Sequence, residues 1–139
     1  MSSVDQLFAQ ASDALRNQDP ERARDLCAEA RQQDPDDLRL VMLHGFALRR
    51  SGDHAGAEPL LRRTLSVDPG LEIAHYELGL ALEGLGRLSE ARRAIGQAVT
   101  LNPKLTAAWR DLYEVRAAEG DDVGAAEAYR QAMGNKELD

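Results

Sequence analysis

Three dipeptides, Asp34-Pro35, Asp68-Pro69 and Asn102-Pro103, recur at intervals of 34 residues without drift. A fixed period of this length marks a repeat architecture, and it restricts the fold more than any other feature of the chain. Twelve residues before each proline stands an alanine, Ala23, Ala57 and Ala91, and Ala125 continues the series. Five residues before each proline stands a small residue, Ala30, Thr64 or Ala98, with Ala132 one period on.

Each period reads as two amphipathic helices. In the third, Ile73, Tyr76 and Leu80 and, beside them, Ala74, Leu78, Ala81, Leu82 and Leu85 recur at helical spacing. Gly86 breaks the pattern where a turn is needed. A second helix then opens at Arg87-Leu88-Ser89 and carries Leu88, Ala91, Ala94, Ile95 and Ala98. It closes at Asn102-Pro103, because a residue that precedes proline is pushed out of the α region. Asp19-Pro20 supplies an N-cap followed by proline at the first helical position. Ser3 with Gln6 predicts a capping box for the first helix. Pro59 falls inside the helix that Asp53 caps, where it forfeits one backbone bond and should bend the helix slightly.

The stretch GLALEGLG at 79–86 has the look of a phosphate-binding loop. A dinucleotide fingerprint fails, because Ser89 stands where the third glycine belongs. A P-loop also fails, because Leu85 and Gly86 replace its lysine and hydroxyl residue. The repeat explains these glycines instead. Gly86 is the turn between two helices, equivalent to Gly52 and Gly120, while Gly79 and Gly45 allow a neighbouring helix to approach closely.

With these positions in place the chain resembles the tetratricopeptide repeat (TPR) family. Four units are read, 4–37, 38–71, 72–105 and 106–139, in one array over residues 1–139. The third matches most fully, through Leu78-Gly79, Leu82, Gly86, Ala91, Ile95, Ala98 and Pro103. The fourth carries the signature Trp109, with Leu112, Ala125, Tyr129 and Ala132. It departs by having Tyr113 for the small residue and no closing proline. The first unit has Gln18 for the turn glycine and Cys27 at a large-residue core position. The resemblance implies an all-α, right-handed solenoid of about eight antiparallel helices, with the first helix of each hairpin lining a concave surface.

That register places Asp5, Phe8, Ala9, Ser12, Leu15 and Arg16 on the inner face in the first unit, and Arg39, Met42, Leu43, Phe46, Arg49 and Arg50 in the second. The third contributes Ile73, Tyr76, Glu77, Leu80 and Glu83, and the fourth Arg110, Asp111 and Glu114. An apolar strip of Phe8, Met42, Phe46, Ile73, Tyr76 and Leu80 with a charged rim is the usual mark of a protein-interaction site. The implied partner is a peptide or helix of another protein. Members that hold chaperone carboxylates use lysines and asparagines, whereas Phe8, Ser12, Leu43, Ile73 and Glu77 occupy those places here.

Charge favours the same class of partner. The net charge is −7 and only Lys104 and Lys136 are lysines, which argues against nucleic acid. Residues 4–37 carry nine acids and four bases, 38–71 three and five, 72–105 four of each, and 106–139 eight and four. A basic centre between acidic ends predicts either a ligand with an acidic group near Arg39, Arg49 and Arg50, or arginines that simply complement helix ends.

No enzyme is expected. His44, His54 and His75 form no H-x-x-x-H pair, and Cys27, the single cysteine, has no partner at metal-ligand spacing. DPDDLRL at 34–40 lacks the fifth ligand and the glycine of a calcium loop. No serine lies in a G-x-S-x-G turn. No cofactor and no metal are therefore expected. MSSVDQLFAQ has neither the basic nor the apolar part of a secretory signal, and no stretch is apolar enough to span a membrane, so a cytoplasmic location is expected. The arginine-over-lysine skew points to a bacterial source. Two alternatives to groove binding follow from the last repeat. Val123, Ala126, Tyr129 and Met133 could meet a second copy in a homodimer through the C-terminal repeat, or the array could be the N-terminal docking part of a larger bacterial enzyme.

Overall fold

The computed structural model describes residues 2–138, and the side chains of residues 2–135. Asp139, the end of the fourth expected unit, lies outside the described residues. Among the described residues there are eight helices and no strands. They are α1 (Ser3–Arg16), α2 (Pro20–Gln33), α3 (Leu38–Arg50), α4 (His54–Val67), α5 (Glu72–Gly84), α6 (Leu88–Leu101), α7 (Thr106–Ala118) and α8 (Asp122–Leu138). Consecutive helices pair as four hairpins, α1 with α2, α3 with α4, α5 with α6 and α7 with α8. The chain forms two compact units, one up to Pro69 and one from Gly70 onward. In the first, α2 packs on α3; in the second, α6 packs on α7.

The 34-residue period is visible in the helix ends. The second helix of three hairpins starts on an aspartate whose carboxylate accepts the N–H three residues on. Asp19 takes Arg22 N–H at 3.2 Å, Asp53 takes Gly56 N–H at 2.9 Å, and Asp121 takes Gly124 N–H at 2.9 Å. Such a bond satisfies one of the donors left over at a helix start. In the third hairpin the equivalent residue is Arg87, and α6 has no side-chain cap. At the start of α1 the capping residue is Ser2, one place earlier than the expected box. Its extended backbone (φ −69°, ψ 163°) brings the hydroxyl to 3.1 Å from Asp5 N, while Ser3 is already helical.

Each first helix ends in the same backward hydrogen bond, from the residue after the turn to a carbonyl five positions earlier. These are Asp19 to Ala14 (2.8 Å), Asp53 to Leu48 (2.8 Å), Arg87 to Leu82 (2.9 Å) and Asp121 to Arg116 (2.8 Å). The geometry needs a left-handed residue at the turn. Gly52, Gly86 and Gly120 supply it with φ of 94°, 78° and 79°, and Gln18 is driven to 59°.

The hairpins close on small residues. Ala23, Ala57, Ala91 and Ala125 are buried, as are Ala30, Thr64, Ala98 and Ala132, which is the register read from the period. Thr64 satisfies its hydroxyl on the Leu60 carbonyl at 2.9 Å. A Cβ placed on Gly79 would overlap Ile95 Cγ1 and stand 3.2 Å from the Ile95 backbone nitrogen. That approach of α5 to α6 requires glycine, because a β-branched neighbour cannot swing away. Pro59 lies inside α4, as expected, and the helix continues through it. In the first unit Ala14, Ala23 and Ala47 form a cluster with Leu15 against it. In the second, Ile95, Val99, Ala108, Leu112, Val115 and Ala128 pack together, with Tyr76, Leu88, Leu105 and Trp109 at the edges. Trp109 and Asn135 both donate to the Pro103 carbonyl at 2.7 Å, which ties α7 and α8 to the preceding loop.

Candidate functional site

All the expected inner-face residues lie on first helices, and they repeat in rows one period apart. One row is Phe8, Met42, Tyr76 and Arg110; the next is Ser12, Phe46, Leu80 and Glu114. Identical register in each hairpin is what sets these side chains at corresponding places along successive helices.

In the first unit, Phe8, Ser12, Met42 and Arg49 are half-buried and Arg50 is exposed. Phe46 is not accessible: it is 8% exposed, and the Arg50 guanidinium lies 5.6 Å from its ring centroid. It therefore belongs to the packing rather than to the exposed strip. Leu43 is buried as well. Arg39 lies over the Phe8 ring at 4.8 Å and bonds Asp37 at 2.8 Å and Asp5 at 3.1 Å. Its guanidinium holds both carboxyls below the ordinary carboxylate range. Arg39 is thus already engaged by two acids of its own unit. Asp5 stands one period before Arg39, so this pairing was present in the register, though composition by unit hid it.

In the second unit, Ile73 is 39% exposed, Tyr76 and Leu80 are half-buried, and Arg110 is exposed. Glu77 is 2% exposed and so is part of the interior, not of the accessible face. The Tyr76 hydroxyl donates to Asp111 on α7, which joins the two first helices of this unit. Glu83, half-buried on α5, faces Asp111 and Glu114. Burial first, and then these two carboxylates, raise its carboxyl above the ordinary value. The accessible inner face of this unit is therefore an apolar edge, Ile73 and Leu80, beside an acidic wall. All three acids stood in the expected inner-face register, Glu83 in the balanced third repeat and Asp111 and Glu114 in the acidic fourth, and the fold brings them to one wall.

Away from these faces, Cys27 is fully buried in α2, and burial pushes its thiol up to about 12. His44 on α3 faces α2, with Nδ1 3.0 Å from Arg31 Nη1. A guanidinium only donates, so Nδ1 accepts and the imidazole proton sits on Nε2. Among the described residues no group of His, Cys, Asp and Glu could hold a metal ion, and no helix is long and apolar enough to cross a membrane.

Comparison with known proteins agrees with this architecture. A family model for the tetratricopeptide repeat matches residues 8–72, 42–104 and 76–137. Human tetratricopeptide repeat protein 7A is 28% identical over 134 residues, which is 95% of this chain and 16% of that protein. The chain thus spans a small part of its curated relative. Among solved structures, MamA 41-end from Desulfovibrio magneticus RS-1 superposes with a TM-score of 0.89 at 22% identity, covering 98% of this chain and 77% of that one. A crystal structure of MamA gives 0.86 at 18% identity, covering 98% and 80%. At these identities the likeness is one of fold, an all-α helical solenoid.

Proposed function

Because the chain belongs to the tetratricopeptide repeat family, we propose that it is a non-catalytic interaction module that holds a peptide or helix of another protein on its first helices. Members of this fold generally mediate protein interactions and are typically not catalysts. The observation that carries the reading is that first helices of each unit leave apolar side chains partly exposed, Phe8 and Met42 in the first and Ile73, Tyr76 and Leu80 in the second. Ser12, Arg49, Arg50 and Arg110 supply polar contacts around them, and Phe46 and Glu77 support them from within. Partly exposed apolar and aromatic side chains rimmed by charge are the anchors such interfaces use. The acidic wall of the second unit suits a partner segment with lysine or arginine at one end.

The test compares capture of partners by the wild-type protein and by a Met42→Asp/Ile73→Asp variant whose helicity circular dichroism has verified. A client kept by the wild type and lost by the folded variant supports the reading. Equal capture by both moves the binding surface elsewhere.

A second reading is favoured by a separate observation. The last hairpin exposes Val123 (82%), Tyr129 (54%) and Met133 (39%), which suits self-association through the C-terminal repeat.

A further inference from the structure

The exposed residues of α8 stand in register with residues that other hairpins bury. Ile95 and Val99 of α6 pack with Ala108, Leu112 and Val115 of α7. One period after Ile95 and Val99 come Tyr129 and Met133, both exposed. The α8 face is thus the stacking seam of the repeat, carried on to a place where no hairpin of the described chain covers it.

The opposite end of the repeat series differs in chemistry. The register positions of Ala108, Leu112 and Val115 are filled on α1 by Gln6, Gln10 and Asp13, all exposed. Head-to-tail stacking of copies would press Tyr129 and Met133 onto two amides and a carboxylate, which costs free energy unless each polar group finds a partner. It would also leave open ends, and so grow into filaments, unless its rotation closed a ring. A two-fold contact between α8 faces avoids both.

The order of residues along α8 is self-complementary for that contact. At about 100° per residue, Asp122, Val123, Ala126, Tyr129 and Arg130 all lie within roughly 60° of the Ala126 direction. Asp122 and Arg130 are equidistant from Ala126 and opposite in charge, and Val123 and Tyr129 are equidistant and apolar. In an antiparallel pair of α8 helices crossing at Ala126, Asp122 of each copy meets Arg130 of the other, and Val123 meets Tyr129. Ala126 at the centre permits close approach. Beside it, Tyr113 and Tyr129 stack with ring centroids 5.9 Å apart and planes at 56°. They border a groove of about 490 Å³ whose lining also includes Ala126 and Arg130, room for an incoming Val123.

We propose that this chain forms an isologous dimer through antiparallel α8 helices centred on Ala126, with reciprocal Asp122–Arg130 pairs. The proposal rests on the self-association reading above and assigns its surface and register. Sedimentation equilibrium on the wild type, Asp122→Arg, Arg130→Asp and the double exchange tests it, with circular dichroism confirming helicity. Each single change places like charges opposite each other twice, and should raise the dimer Kd by about tenfold or more. The double exchange should bring it back to within about threefold of wild type. Independently, Ala126→Cys should oxidise to a covalent dimer, with Cys27 too buried to compete. A monomer at every concentration would remove both self-association and this interface. A dimer indifferent to the single changes, not restored by the exchange, or without the Ala126→Cys crosslink would overturn the register and leave self-association standing.

Discussion

Gln18 shows how far the repeat imposes a backbone on a residue that resists it. An L side chain in the left-handed region costs roughly 1–2 kcal/mol, because Cβ crowds the following carbonyl. Gln18 holds that conformation (φ 59°) because two helices must reverse there, and the Asp19 to Ala14 bond closes as it does after each turn glycine. Gln18→Gly should therefore raise stability by about 0.5–1 kcal/mol once the entropy of a freer unfolded chain is subtracted. Urea denaturation followed at 222 nm measures this, and a variant less stable than wild type would show that the strain was misjudged. Cys27 illustrates the other side of the same register. It occupies a position where Leu61 and Ile95 sit in later hairpins, and full burial makes it a small apolar residue rather than a nucleophile.

At the scale of the element, second helices are set by their first residue. Asp19, Asp53 and Asp121 cap α2, α4 and α8, whereas Arg87 leaves the first donors of α6 without a side-chain acceptor and bonds Glu90 instead at 2.8 Å. An exposed arginine–glutamate pair contributes little, while a good N-cap contributes about 1 kcal/mol. Arg87→Asp should accordingly stabilise the chain by up to about 1 kcal/mol, read as a higher melting temperature by calorimetry. An unchanged or lower value would mean that Arg87 matters more than its exposed pairing with Glu90 indicates.

For the molecule as a whole, the seam between the first and second hairpins carries a pH dependence. Burial, then Arg31 and Arg24, push the His44 pKa below its ordinary value, only partly opposed by Asp53. The unfolded chain therefore takes up a proton, near pH 6.5, before the folded chain does. Stability contributed by neutral His44 is fully present above that pH and falls as the pH drops below it. Denaturation midpoints should fall between pH 7.5 and 5.5 in the wild type and change less in His44→Leu; equal slopes would remove His44 as the cause. The two ends of the repeat series also differ, polar at Gln6, Gln10 and Asp13 and apolar at Tyr129 and Met133. The repeat, the helical hairpins, the turns and the buried alanine rows are legible in the chain alone, since each follows from local periodicity, capping and proline geometry. The same register placed the residues proposed for partner binding on first helices, because register is a linear property. Which of those residues stay accessible is set by the packing of the helices. Phe46 is covered by Arg50, Glu77 lies inside, and Arg39 is engaged by Asp5 and Asp37. Exposure depends on neighbours distant in sequence, and no one-dimensional period encodes the side chains that meet across helices.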